Sequence, residues 1–94
     1  MTVKQRFASV WDAIEDTPAE AENMKIRSAL MLEIATFISD AGLTQIEAAQ
    51  RFGVTQPRIS DLTRGKINLF SIDALVNMLT AAGLHLEMRV RQAS

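Results

Sequence analysis

The chain has 94 residues, with 10 basic residues, 11 acidic residues, one histidine and no cysteine. This length fits one domain with a modest core, and the composition excludes disulfides, thiolate metal sites and histidine-rich metal sites. Apolar residues make up 48% of the sequence, but no apolar run is long enough to cross a bilayer. The composition therefore predicts a globular, cytoplasmic protein whose folding depends on packing, either within the chain or also with a second copy of it.

The N-terminal segment, residues 1–23, is acidic, with two basic residues against five acidic ones. Phe7, Val10, Trp11 and Ile14 follow the spacing of one helical face, which predicts a short amphipathic helix at about residues 3–15. Two interpretations of this apolar face remain open. It either packs on the apolar side chains of the following helix or, rimmed by carboxylates, contacts a basic partner protein.

A long helix is predicted next. Thr17 is a good N-cap, Pro18 suits the first helical position, and Glu20 lies three residues after the cap. The helix is expected to run to Ala41 and to end at Gly42.

Two short helices follow. Thr44 with Glu47 forms a second capping box, and the helix that it starts is expected to end at Gly53. Thr55 is predicted to cap the next helix, which ends at Gly65.

The fifth predicted helix begins at Ser71 or Asn68 and stops at Gly83. Its predicted inner face consists of Ile72, Leu75, Val76 and Leu79.

The last segment alternates apolar and polar residues, which predicts a half-buried strand. No other segment is predicted as a strand, so the expected partner is the same strand of a second copy, antiparallel about Met88. This register would place Glu87 opposite Arg89. The predicted dimerisation residues are Leu84, Leu86, Glu87, Met88, Arg89 and Val90.

Residues 43–66 meet the demands of a helix-turn-helix, in which the second helix enters the major groove of DNA. Ala48 and Ala49 are small enough for two helices to cross, and Gly53 suits the turn. The predicted inner residues are Phe52, Val54, Ile59 and Leu62. The segment carries four basic residues against two acidic ones.

The stretch "LTQIEAAQRFGVTQPRISDLTRGK" resembles the helix-turn-helix of the phage repressor/Cro-like family, often called the XRE family. Together with the long preceding helix, the stretch "LFSIDALVNMLTAAG" and the final strand, the whole chain resembles the HigA-type antitoxins. These autoregulate operons that encode a RelE-like ribonuclease toxin. The resemblance implies an all-α, five-helix lambda-repressor-like bundle with a C-terminal β-strand for dimerisation. The expected organisation is an N-terminal segment at 1–23, a DNA-binding domain at 24–83 and a dimerisation strand and tail at 84–94.

The resemblance also implies residue roles. Gln45 is expected to hold a phosphate, Gln56 to pair with adenine and Arg58 with guanine. Pro57 stands where many relatives have glutamine, and its ring is expected to contact a thymine methyl group. The other predicted contacts to DNA are Thr55, Ser60, Asp61, Arg64 and Lys66. For Asp61 a second interpretation remains open, in which it orders one of the two nearby arginines, Arg58 or Arg64.

The sequence thus predicts a homodimeric, sequence-specific repressor of a palindromic operator, the antitoxin of a type II toxin–antitoxin operon that autoregulates its promoter. The alternative is a toxin-neutralising interaction module with negligible DNA binding of its own. No nucleophile–base pair, carboxylate cleft or phosphate loop is apparent, so neither an enzyme nor a cofactor, metal or membrane partner is expected.

Overall fold

Residues 17–92, the part of the chain that the computed structural model describes, form four α-helices and one 3₁₀ turn. The helices are α1 (Pro18–Asp40), α2 (Gln45–Phe52), α3 (Gln56–Thr63) and α4 (Ile72–Ala81), and the 3₁₀ turn (Ile67–Leu69) lies between α3 and α4. No helix in this part has the length and apolarity needed to cross a membrane. The helix predicted at about residues 3–15, with both interpretations of its apolar face, lies outside the described residues.

The long helix α1 begins where its capping residues predict. The Thr17 hydroxyl accepts a hydrogen bond from the Glu20 N–H at 3.0 Å, and Pro18 occupies the first turn. The helix ends at Asp40, and Gly42 follows with a φ of +66°. Since α1 is continuous, it crosses the expected domain boundary between residues 23 and 24.

The helix α4 is capped by Ser71, whose hydroxyl accepts a hydrogen bond from the Ala74 N–H at 3.1 Å. Asn68, the other predicted cap, instead lies within the 3₁₀ turn. Of the predicted inner face, Leu75 and Leu79 are buried, and Met78 is buried beside them.

The core lies where α1 crosses α3 and α4 and where α2 packs against α3 and α4. The largest side chains that solvent does not reach come from every helix and from the segment before α4. They are Ile34, Phe52, Ile59, Leu62, Phe70, Leu75 and Met78. With no cysteine in the chain, this packing carries the stability of the described fold.

The predicted fold class, an all-α five-helix bundle with a C-terminal β-strand, is wrong in its strand. The described residues contain four α-helices and no strand, and residues 84–92 have no regular secondary structure. Leu84 and Leu86 pack against the core, whereas Met88 is 76% and Val90 89% exposed. A strand needs a ladder of backbone hydrogen bonds, and no segment of residues 17–92 provides one here.

Without a C-terminal strand in the described residues, the predicted strand-mediated dimer has no structural basis. Alternating side chains led to the strand prediction, but only the first two apolar residues of the segment contact the core. The described residues therefore give no basis for the predicted strand pairing of Leu84, Leu86, Glu87, Met88, Arg89 and Val90.

Replacing Gly53 with alanine should lower the free energy of unfolding by about 1–2 kcal/mol, because its φ of +70° is a left-handed conformation that strains other L-residues. Gly42→Ala is the matched control, since its φ is +66° and an added Cβ meets nothing within 4 Å. Urea unfolding of both variants should show similar losses, because a Cβ at Gly53 would lie 3.4 Å from the Ala81 Cβ, an ordinary contact. A loss confined to Gly53→Ala would instead indicate a clash with α4.

Candidate nucleic-acid interface

The helix α2 is fixed at both ends by local hydrogen bonds. At its start, the Thr44 hydroxyl accepts from the Glu47 N–H at 3.1 Å, and a Glu47 carboxylate oxygen accepts from the Thr44 N–H at 2.9 Å. At its end, Gly53 adopts a φ of +70° and the Val54 N–H donates to the Ala49 carbonyl at 3.0 Å. The predicted capping box and glycine turn are confirmed, and they set the direction in which the chain enters α3.

The crossing of α2 and α3 is closely packed. Ala48 is fully buried and Phe52 is 1% exposed, while Ile59 of α3 is also 1% exposed. The ring of Phe37 meets that of Phe52 edge-on, with centroids 5.9 Å apart. The small side chain at Ala48 lets the two helices approach closely, as a helix-turn-helix requires.

The helix α3 is held mainly by its buried face and by its C-terminal end. Thr55 is at the N-cap position, but its side chain makes no capping hydrogen bond. At the other end, the Gly65 N–H donates to the Leu62 carbonyl and the Lys66 N–H to the Asp61 carbonyl, both at 3.0 Å. This pair of bonds is a Schellman motif, which ends the helix sharply.

The remaining face of α3 displays polar side chains and the ring of Pro57. Pro57 and Arg64 are exposed, and Ser60 and Asp61 between them are partly buried. These positions are three or four residues apart, so they lie along one side of the helix, opposite the buried residues. The other exposed members of the predicted set are Gln45, Thr55, Gln56 and Lys66.

Asp61 pairs with Lys66 rather than with either of the arginines that the sequence suggested. Its carboxylate lies 3.6 Å from the Lys66 ammonium, and the two side chains are 25% and 44% exposed respectively. The pair partly neutralises a negative charge that lies on the outer side of α3.

Arg58 differs from the other predicted contacts because its guanidinium is engaged within the chain. Its Nη1 donates to the Leu69 carbonyl at 2.8 Å, and its Cζ lies 4.1 Å from the centroid of the Phe70 ring. The side chain is partly buried, whereas its helix neighbours Gln56 and Pro57 are exposed. The Arg58 side chain thereby ties α3 to the 3₁₀ turn that follows it.

Two further arginines stabilise the fold through hydrogen bonds to backbone carbonyls that the sequence did not predict. Arg51 Nε donates to the Ala82 carbonyl at 3.0 Å, at the end of α4, and its Cζ lies 5.0 Å from the Phe37 ring centroid. Arg27 Nη1 donates to the Ile67 carbonyl at 3.2 Å. The acceptors lie 31 and 40 residues along the chain, so no local pattern could have indicated these bonds.

Comparisons with known proteins agree with this geometry. A family model described as a helix-turn-helix domain matches residues 13–91. The fold is similar to that of a solved structure described as a "Putative XRE Family Transcriptional Regulator", which is 31% identical with a TM-score of 0.71, over 79% of this chain and 83% of that chain. No curated protein sequence matches the chain.

Thr44→Ala should lower the free energy of unfolding by about 1 kcal/mol, because it removes the side-chain half of the capping box on α2. Thr55→Ala is the matched control, since Thr55 has the same cap position on α3 without a side-chain bond, and its loss should be smaller. Denaturant titrations followed by circular dichroism would measure both. Equal losses would mean that the hydrogen bond to the Thr44 hydroxyl contributes nothing to stability.

Proposed function

Because the chain belongs to the XRE-type helix-turn-helix transcriptional regulators, we propose that it is a sequence-specific repressor that places α3 in the major groove of double-stranded DNA. The observation that carries this proposal is the polar outer side of α3, displayed on a helix whose inner side is buried against α1 and α2. A groove about 12 Å wide admits one α-helix, and the side chains that face its floor read the bases.

The proposed base contacts come from the start and the outer side of α3. Gln56 is exposed in the first turn, where its amide can donate to and accept from an adenine edge. Pro57 offers its ring to a thymine methyl group, and Thr55, Ser60 and Asp61 complete the surface.

The proposed phosphate contacts lie at the ends of the two helices. Gln45 is the first residue of α2, where its amide and the helix N-terminus both favour an anion. Arg64 occupies the C-cap position of α3, and Lys66 follows it after Gly65. Both are exposed cations beside the helix that enters the groove.

We further propose that two copies act together on a two-fold operator. The eight residues of α3 span about 12 Å, which covers only a few base pairs, so one copy reads little sequence. Two copies on successive half-sites would raise specificity, as in other helix-turn-helix dimers. With the C-terminal strand excluded, the dimer must use another surface.

The finer proposal is that the protein is the antitoxin of a type II toxin–antitoxin operon, represses its own promoter and neutralises a RelE-like toxin. It rests on the resemblance of the whole chain to HigA-type antitoxins. The alternative, a toxin-neutralising module with negligible DNA affinity, leaves the polar outer side of α3 without a role, so we favour the DNA-binding form.

Fluorescence anisotropy with duplexes tiled across the DNA upstream of the reading frame should find one fragment bound in preference to the others. Arg64→Ala should weaken binding of that fragment and flatten the slope of log affinity against log salt by about one, because one phosphate contact is lost. Lys25→Ala is the matched control: it removes a cation from α1 that is 76% exposed and should change neither quantity. Equal binding of all fragments would contradict sequence-specific repression.

Co-expression with the product of a neighbouring toxin-sized reading frame tests the finer proposal. The full chain should restore growth and co-purify with that product. The double variant Gln56→Ala, Arg64→Ala should still restore growth while losing the preferred DNA fragment, because these residues are assigned to DNA alone. Failure of the full chain to restore growth would remove the antitoxin assignment and leave the repressor assignment intact.

A further inference from the structure

We propose that Arg58 grips a backbone phosphate at the wall of the groove, and that Phe70 and the Leu69 carbonyl are the groups that position it. This inference rests on the proposed DNA binding and deepens it. It also gives Arg58 a different target from the guanine that the sequence suggested, and it adds Phe70, which no sequence pattern connected with DNA.

The guanidinium of Arg58 is fixed from two directions. Its Nη1 donates to the Leu69 carbonyl at 2.8 Å, and its Cζ lies 4.1 Å from the centroid of the Phe70 ring. Phe70 is itself 1% exposed, so the ring is a fixed part of the core. The long side chain of Arg58 is thus held in one position before DNA binds.

Its position on α3 points to the wall of the groove and not to its floor. Ile59 and Leu62 define the inner side of the helix, while Pro57 and Arg64 lie on the opposite side. Successive residues are about 100° apart, so Arg58 lies between these two sides, on a flank. An α-helix with its side chains is about as wide as the major groove, so a flank of the helix meets the phosphates on either side.

The contact with Leu69 strengthens this assignment. A base-reading arginine has to extend away from the protein toward the groove floor, whereas the Arg58 guanidinium is bonded to a carbonyl of the 3₁₀ turn (Ile67–Leu69). That turn directly follows Lys66, which we assign to a phosphate. Arg58 and Lys66 would therefore act on the same stretch of DNA backbone.

The chemistry of the guanidinium suits this role. Arginine has five N–H donors in a planar fork, and within residues 17–92 the side chain of Arg58 makes only the bond to Leu69. The edge formed by Nε and Nη2 can still bind two phosphate oxygens side by side. Because the plane is already oriented, less conformational entropy is lost when the phosphate binds.

The test uses a duplex enriched by the wild-type protein from a random DNA library, together with all its single-base-pair variants. Anisotropy titrations over a range of KCl concentrations would compare wild type with Arg58→Ala, Arg58→Lys and Phe70→Leu. Arg27→Ala is the matched control, because Arg27 also donates to a carbonyl of the 3₁₀ turn but from α1. Circular dichroism would confirm that each variant is folded at the assay temperature.

Arg58→Ala should weaken binding about tenfold, by the same factor on every duplex, and flatten the log affinity–log salt slope by about one. Arg58→Lys keeps the charge, so it should retain the slope while losing part of the affinity. Phe70→Leu keeps an apolar side chain in the core but removes the ring, so it should lower affinity evenly, by less than Arg58→Ala. Arg27→Ala should leave affinity and slope unchanged.

A loss confined to one G·C pair in Arg58→Ala would overturn the phosphate assignment in favour of base reading. A Phe70→Leu variant that binds like wild type would overturn the positioning role of Phe70. If the wild-type protein enriches no sequence and shows no salt-dependent binding, the proposed function itself fails and this inference fails with it. If Arg58→Ala is unfolded, Arg58→Lys tests the phosphate assignment in its place, since a loss confined to one G·C pair would again indicate base reading. Phe70→Leu still tests the positioning role of Phe70.

Discussion

The close contact between α2 and α3 is the constraint on which the candidate DNA surface depends. Each helix has only eight residues, which is too short for a stable isolated helix in water. Their stability has to come from the burial of Ala48 and Phe52 against Ile59 and from the core beneath them. The same burial fixes which side of α3 faces outward, so the fold and the display of polar residues have a single cause.

Arginine side chains link the helices of this small core to the segments that follow α3 and α4. Arg27, Arg51 and Arg58 each donate to a backbone carbonyl in the segments that follow α3 and α4. A charged donor makes a strong hydrogen bond to a backbone carbonyl, and the Ile67 carbonyl accepts a second bond from the Phe70 N–H at 3.2 Å. Of the four basic residues in the segment 43–66, Arg51 makes such a bond at the end of α4, whereas Arg58 keeps the Nε and Nη2 edge of its guanidinium for the proposed phosphate contact.

The sequence predicted those features that depend on neighbours along the chain. Thr17, Thr44 and Ser71 each cap a helix with residues three positions away, and Gly53 makes a turn by its own φ. The arginine–carbonyl bonds were not predictable because their partners are 11 to 40 residues distant. The strand prediction failed for a related reason, since alternation along the segment does not show whether a distant backbone partner exists, and Met88 and Val90 do not face the core.

The pair formed by Asp61 and Lys66 indicates how the proposed interface would discriminate between sequences. A carboxylate on the outer side of α3 is repelled by the phosphates of DNA, and Lys66, 3.6 Å away, offsets part of that repulsion. Among base edges in the major groove, the amino groups of cytosine and adenine are the hydrogen-bond donors, so only they can satisfy the carboxylate. A half-site that places any other group opposite Asp61 would desolvate the carboxylate without giving it a hydrogen-bond donor from the DNA. Specificity at this position would then arise mainly from the penalty for the wrong sequence, whereas the affinity comes from the cations around it.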